Sequence, residues 1–191
     1  MARAGQNIDS AQRILDVAER LVQTRGFNGF SYADIAEALD VTKASLHYHF
    51  PSKADLGRRL IERYEQTFLA VLKGIDATGA TPRDKLKRYA RIYADVLRDN
   101  RMCLCGMLAS DYATLPKAMK EEVRHFFDAN EQWLVGVLEQ GRKGGALVYK
   151  GTALELARVI VGSLEGAMML ARSYGEPARF ETTAERLIAS L

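Results

Sequence analysis

The stretch Phe27-Asn28-Gly29-Phe30-Ser31-Tyr32-Ala33-Asp34-Ile35-Ala36-Glu37-Ala38-Leu39-Asp40-Val41-Thr42-Lys43-Ala44-Ser45-Leu46-His47-Tyr48-His49-Phe50 reads as a short helix, a tight turn and a second short helix. Ser31, with Asp34 three residues on, caps the first helix, and Thr42 caps the second. Ile35, Ala36 and Leu39 give the first helix a buried stripe, and the small Ala36 lets the two helices cross closely. Val41 plugs the turn. Leu46 and Phe50, four apart, bury one face of the second helix. Its other face carries Lys43, Ser45, His47, Tyr48 and His49, polar donors and an aromatic short enough to touch a groove floor or its walls. A unit of this shape lays its second helix in the major groove of DNA. Helix-start amides at Thr42 favour phosphate, and Lys53, at the next helix start, is the expected phosphate contact.

Outward from this stretch the periodicity is helical nearly everywhere. Ile14, Leu15, Ala18, Leu21 and Val22 share one helix face, which Asp9 with Gln12 is expected to open as a capping box and Gly26 to end. Ser52 with Asp55, Thr81-Pro82, Leu115-Pro116 and Thr152 with Glu155 mark further helix starts. Alternating β-branched runs are absent. Helices are short before residue 52 and long after it, so the predicted architecture is all-α, with a head over 1–52 on a larger helical body over 53–191. One helix, beginning at Lys53, continues from head to body.

The bulk numbers narrow the function. Hydrophobic residues are 48% and charged residues 27% of 191, ordinary for a globular protein. The net charge is only +3, so nucleic-acid binding must rest on local clustering. Such a cluster exists between Val41 and Arg63: Lys43, Lys53, Arg58, Arg59 and Arg63 face only Asp55 and Glu62. The first residues lack the apolar core of a secretory signal, and the longest apolar run, Val159–Ala171, is broken by Glu165 and two glycines. Two cysteines, Cys103 and Cys105, suit a reducing compartment. The expected location is the cytoplasm, with no membrane contact.

The run also resembles the tetracycline-repressor (TetR) family of bacterial transcriptional regulators. The resemblance rests on Ala18-Glu19-Arg20-Leu21, Arg25-Gly26-Phe27, Ser31-Tyr32-Ala33-Asp34-Ile35-Ala36 and the segment from Val41 through Phe50-Pro51-Ser52-Lys53-Ala54-Asp55-Leu56. It implies a three-helix head, an all-helical ligand-binding and dimerisation body (about nine helices in all), and a homodimer on a near-palindromic, double-stranded operator. Repression relieved by a small-molecule effector is the function it implies. Family DNA contacts carry over onto Ser31, Thr42, Lys43, Ser45, His47, Tyr48, His49 and Lys53. Two positions depart from the pattern: Asp40 stands where the family usually has Gly in the turn, and His47 where Tyr is common. Asp tolerates the left-handed conformation, so the turn is expected to survive.

In the body, Tyr89, Tyr93, Met102, Cys105, Met107, Phe126, Phe127, Trp133 and Met168 are candidates for an adaptable, mostly apolar ligand pocket, though core packing is the more ordinary role for such residues. Ala157, Val161, Leu164 and Met168 form a helical stripe assigned to the dimer interface, against the alternative that the stripe faces the chain's own core. Gly162 and Gly166 would permit close helix approach. Cys103-Leu104-Cys105 has packing as its default role; a redox- or electrophile-responsive regulator acting through these thiols is the alternative. His47-x-His49 points two ways around a helix and is not a metal site. No catalytic motif, cofactor or metal is expected, and an enzyme using a cysteine with His125 as base is the weakest reading.

Overall fold

The computed structural model describes residues 2–191, with side chains described from Ser10 onward. Among the described residues there are nine α-helices, two 3-10 turns and no strand: α1 (Ala2–Arg25), α2 (Tyr32–Leu39), α3 (Lys43–His49), α4 (Lys53–Ala77), α5 (Pro82–Arg98), α6 (Leu104–Ser110), α7 (Lys117–Lys143), α8 (Ala153–Tyr174) and α9 (Pro177–Ala189). The all-α class follows as the periodicity predicts. They form two compact units. The first holds the chain up to Glu65 together with Leu104–Arg124, and the second holds Gln66–Cys103 and His125–Leu191. Helices α4 and α7 contribute residues to both.

In the first unit α1 buries Ile14, Leu15, Ala18 and Val22. It extends back to Ala2, so Asp9 does not open it; the Asp9 side chain lies outside the described ones. Ala2, Arg3, Ala4 and Gln6 ahead of Asp9 favour helix against Gly5 and Asn7, and no proline stops it there. Gly26 ends α1 at a φ of 79° and leads into a 3-10 turn, Phe27–Gly29. The capping box at Ser31 is formed: its hydroxyl accepts from the Ala33 amide at 3.2 Å, and Asp34 accepts from the Ser31 amide at 2.8 Å. Asp40 takes the left-handed conformation, φ 53° and ψ 50°, that a glycine would otherwise supply. Val41 does not plug the turn as expected. It is 37% exposed, because its amide is drawn back to the Ala36 carbonyl at 3.0 Å and Leu46 and Phe50 already fill the crossing. Ile35 and Leu46 have no exposed surface at all, so truncating either to alanine would cost about 2–5 kcal/mol.

The second unit repeats the same logic with longer elements. Thr81 caps α5, with Pro82 at its first position, and Thr152 with Glu155 makes the reciprocal box that starts α8. Gly175, at a φ of 67°, ends α8 and lets α9 fold back onto it. The core is built from Leu86, Tyr89, Tyr93 and Leu97 of α5, Phe126, Leu134 and Leu138 of α7, Ile160, Leu164 and Met168 of α8, and Phe180 and Ile188 of α9. Among the described residues, no helix is long and apolar enough to cross a membrane.

Candidate nucleic-acid interface

The turn between α2 and α3 fixes which face of α3 is left outside. Leu46 and Phe50 are buried against α2, and the Tyr32 hydroxyl donates to the Phe50 carbonyl at 2.8 Å, locking the end of α3 to the start of α2. Burial, helped by the nearby Asp55 charge, pushes the Tyr32 hydroxyl up to about 12, so it stays a donor. Lys43, His47 and Tyr48 are then exposed, Tyr48 at 75%, and Ser45 and His49 are half-buried at the margins of the same face. An aromatic ring held this far out of the core of a small unit is costly to leave in water and suited to a partner surface.

The local hydrogen bonds set what that face can offer. Thr42 accepts from the Ser45 amide at 3.3 Å, so that helix-start donor is already satisfied. The His47 ring packs on Tyr32, centroids 4.8 Å apart, and its Nδ1 lies 3.1 Å from the Pro51 carbonyl. A carbonyl only accepts, so Nδ1 carries the proton, and in the neutral ring Nε2 is left as an acceptor. His49 packs edge-on against Tyr48, at 5.2 Å. Six of the eight expected contact residues therefore lie on α3 or at its cap, and Ser31 is exposed at the start of α2.

Lys53 is placed otherwise. Its ammonium donates to the carbonyls of Phe27, at 2.5 Å, and Phe30, and lies over both rings, at 4.6 and 4.1 Å from their centroids. It clamps the 3-10 turn to the start of α4, and burial lowers its pKa against the pull of Asp34 and Asp111. A phosphate contact from Lys53 requires the ammonium to leave that clamp. The arginine cluster is also compensated: Arg58 and Arg59 bind Glu62, and Arg63 reaches Asp16 at 2.6 Å and Glu19 at 2.7 Å. The local surplus read from sequence is thus mostly neutralised within the unit. Sequence reasoning missed Asp111, whose carboxylate accepts from the Phe27 amide at 2.7 Å and the Asn28 amide at 3.4 Å while Asn28 donates to Thr114 at 2.8 Å. The residues after α6 thereby cap the turn that precedes α2. An acceptor for a turn more than eighty residues away leaves no local sequence signal.

The expected pocket residues do not fall together. Cys105 and Met107 belong to the first unit; the other seven belong to the second. There Tyr89, Tyr93, Met102, Phe126 and Met168 are buried core, and Phe127 and Trp133 are half-buried. Tyr89 donates to Asn130 at 3.1 Å and shares a 3.0 Å hydrogen bond with Tyr93, and Trp133 stacks on Tyr89 with centroids 5.5 Å apart. An open groove of about 590 Å³ lies elsewhere, between α5 and α9, lined by Ala90, Phe180 and Ala184 among others. The four residues assigned to the dimer interface, Ala157, Val161, Leu164 and Met168, are at most 7% exposed and face the chain's own core. The stripe is real, and the α5 and α9 contacts of α8 cover it. The opposite face of α8 is the open one: Val159, Met169, Leu170 and Tyr174 are 52–62% exposed, and nothing lies beside Gly162 or Gly166. Both thiols are buried and neither is in a disulfide.

Comparison with known proteins extends this geometry to the whole chain. Residues 14–60 match the bacterial regulatory proteins of the tetR family, and residues 82–187 match the tetracyclin repressor-like C-terminal domain. A TetR-family transcriptional regulator from Agrobacterium tumefaciens superposes with a TM-score of 0.94 at 34% identity, covering 97% of this chain and 98% of that one. A TetR transcriptional regulator from Legionella pneumophila gives 0.86 at 36% identity, covering 94% and 95%. The HTH-type transcriptional repressor NemR of Escherichia coli (strain K12) is 25% identical over 173 residues, 86% of this chain and 84% of that protein. With a helix-turn-helix head, a helical body and both parts matched, the chain belongs to the TetR family and is a DNA-binding transcriptional regulator.

Proposed function

We propose that this regulator is a cytoplasmic, homodimeric repressor that grips a near-palindromic operator with two heads and releases it when a small-molecule effector binds in the body. It acts by binding rather than by catalysis. The head over 1–52 reads DNA, and 53–191 supplies the effector site and the dimer. The observation that carries the reading is the exposed face of α3, where Lys43, His47 and Tyr48 project from a helix whose other face is sealed by Leu46 and Phe50. Thr42, Ser45, His49 and Ser31 flank the reading face. The His47 Nε2 acceptor suits a base-edge amino group, on cytosine or adenine, in the major groove. Two heads must reach grooves one turn (~34 Å) or a small multiple apart. The exposed face of α8, with Val159, Gly162, Gly166, Met169 and Leu170, is the dimer surface that would set this spacing. NemR is described as a repressor, which supports repression as the direction of control.

Effector binding would act on the spacing through α4, which has residues in both units, and through α6, which lies with the head in the first unit. The test is an operator mobility shift with fragments from the gene's own flanks. Retarded, competitor-resistant binding to an inverted repeat supports the reading, and so does its loss on adding an effector; indifference to sequence would overturn it.

A further inference from the structure

Glu165 is a carboxylate placed where a carboxylate should not be. It sits on α8 in the middle of Val159–Ala171, the most apolar run of the chain. Its Oε1 is sealed from solvent and has no hydrogen-bond partner. The Cys103 thiol donates to the carboxyl, and its charge is felt by Tyr89 and Tyr93 of α5. Those tyrosines belong to an aromatic cluster in which Phe68 meets Tyr89, Tyr93 and Phe126 edge-on at 5.2–6.1 Å and Trp133 stacks on Tyr89. Tyr89 also feels Cys103 and Glu131 of α7, the latter bound by Arg158 at 3.2 Å. Among the described residues no cation acts on Glu165, and burial pushes its carboxyl up to about 7. A buried carboxylate is tolerated when it is paired, and removing or lacking the partner is strongly unfavourable. Here Oε1 has no pairing group, and the tyrosines coupled to the carboxyl belong to a cluster of aromatic rings, a chemistry that attracts cations.

We propose that the effector is an apolar organic cation, a protonated amine or quaternary ammonium, whose charge docks on Glu165 Oε1 and whose apolar body displaces part of the Tyr89, Tyr93, Phe126 and Trp133 packing. This rests on the effector-released repressor reading and names the chemistry of its body site. Cys103 is a positioning residue that holds the other carboxylate oxygen. The cation supplies the counter-charge that the core lacks, so binding draws a proton off Glu165.

The experiment uses the full-length protein and its single tryptophan, Trp133, as the fluorescent reporter. The probes are benzyltrimethylammonium, its uncharged carbon isostere neopentylbenzene, and 4-tert-butylbenzoate, each titrated at pH 8 and pH 5.5. A quaternary ammonium does not titrate, so its pH dependence reports on the protein. The expected result is at least tenfold tighter binding of the cation than of the isostere at pH 8. That preference should shrink at pH 5.5 and vanish in Glu165→Gln. Equal binding of cation and isostere, tighter binding of the benzoate, a preference that survives in Glu165→Gln, or no binding of any probe overturns the proposal. Should Glu165→Gln not fold, the wild-type pH comparison decides it alone. Fluorescence needs no operator, so a cation that binds without loosening the operator complex would count against the release reading and leave the site standing.

Discussion

Helices α3 and α8 are both amphipathic, yet they break the pattern in opposite senses. Helix α3 keeps Leu46 inside and pushes Tyr48 and His47 out, as a polar reading face demands. Helix α8 seals the Oε1 of the half-buried Glu165 inside and pushes Val159, Met169, Leu170 and Tyr174 out. In α3 the exposed residues are donors, an acceptor and a flat ring, chemistry that discriminates base edges. In α8 the exposed Val159, Met169 and Leu170 carry no such chemistry, and two glycines with open space beside them lie among them. A bare apolar face of this kind marks a partner surface, and the charge inside marks a place where a ligand would complete the core. Under the proposed function, reading belongs to one helix, and assembly and sensing to the two faces of the other.

The largest effect expected from breaking this contrast is on assembly. Leu170→Asp places a charge on the outer face of α8 in each protomer, and the two-fold doubles it. The dimer should fall apart at micromolar concentration in sedimentation velocity, with helicity and melting temperature of the monomer nearly unchanged. Val161→Asp, on the inner face, should instead unfold the chain, since it buries an unpaired carboxylate. If Leu170→Asp remains fully dimeric, the outer face of α8 is not the interface.

Glu165→Gln tests the inner face by stability. The folded carboxyl titrates near 7, above its ordinary 4.5, so the folded state holds the proton more tightly than the unfolded one. Wild-type stability from this group is therefore greatest at low pH and falls as pH rises from the unfolded value through 7. Removing the charge should stabilise the protein at pH 8 by up to about 3 kcal/mol, and by little at pH 4.5. Denaturant titration at the two pH values reads the difference. A constant gap would mean that Glu165 is ionised in the same way folded and unfolded.

The reading face comes next in size. Tyr48→Ala removes a ring that is 75% exposed and packs edge-on against the half-buried His49, so stability should hold within about 0.5 kcal/mol. Operator affinity should drop ten- to a hundredfold, about 1–3 kcal/mol, and random-DNA affinity much less. An equal loss on both DNAs would make Tyr48 a backbone contact.

Much of this was legible in the sequence, and unevenly so. The head could be read because its signals are local: Ser31 with Asp34, Thr42, Asp40 in the turn, and Leu46 with Phe50 all act within a few residues of one another. The helix starts at Thr81, Ser52 and Thr152 were legible for the same reason. The stripe Ala157, Val161, Leu164 and Met168 was also visible. Periodicity says that a face is buried without saying by what, and the stripe turned out to face α5 and α9. Glu165 registered only as an interruption of an apolar run, because its meaning depends on Cys103 and Tyr93 arriving beside it. Lys53 and Arg63 looked like free positive charge because their partners, the Phe27 carbonyl and Asp16, come from another helix or turn.

Lys53 gives the smallest and sharpest of the tests, since two roles for it lead to different observables. As placed, its ammonium ties the Phe27 and Phe30 carbonyls and rests on both rings. Charge-assisted hydrogen bonds of this kind are worth about 1.5–3 kcal/mol each when buried. Lys53 is half-buried and its carbonyls can find water once it is gone, so Lys53→Ala should cost about 1–2 kcal/mol of stability. The head would loosen at its 3-10 turn, and operator and random DNA would both be bound slightly less well. The slope of log affinity against log salt should stay where it is, because no phosphate counter-charge has been removed. Lys43→Ala, on the exposed face of α3, should do the reverse, lowering the slope by about one unit with stability intact. A slope that drops by one in Lys53→Ala would show that the ammonium leaves its clamp on DNA, and the head would then tighten its own turn only when it is off the operator.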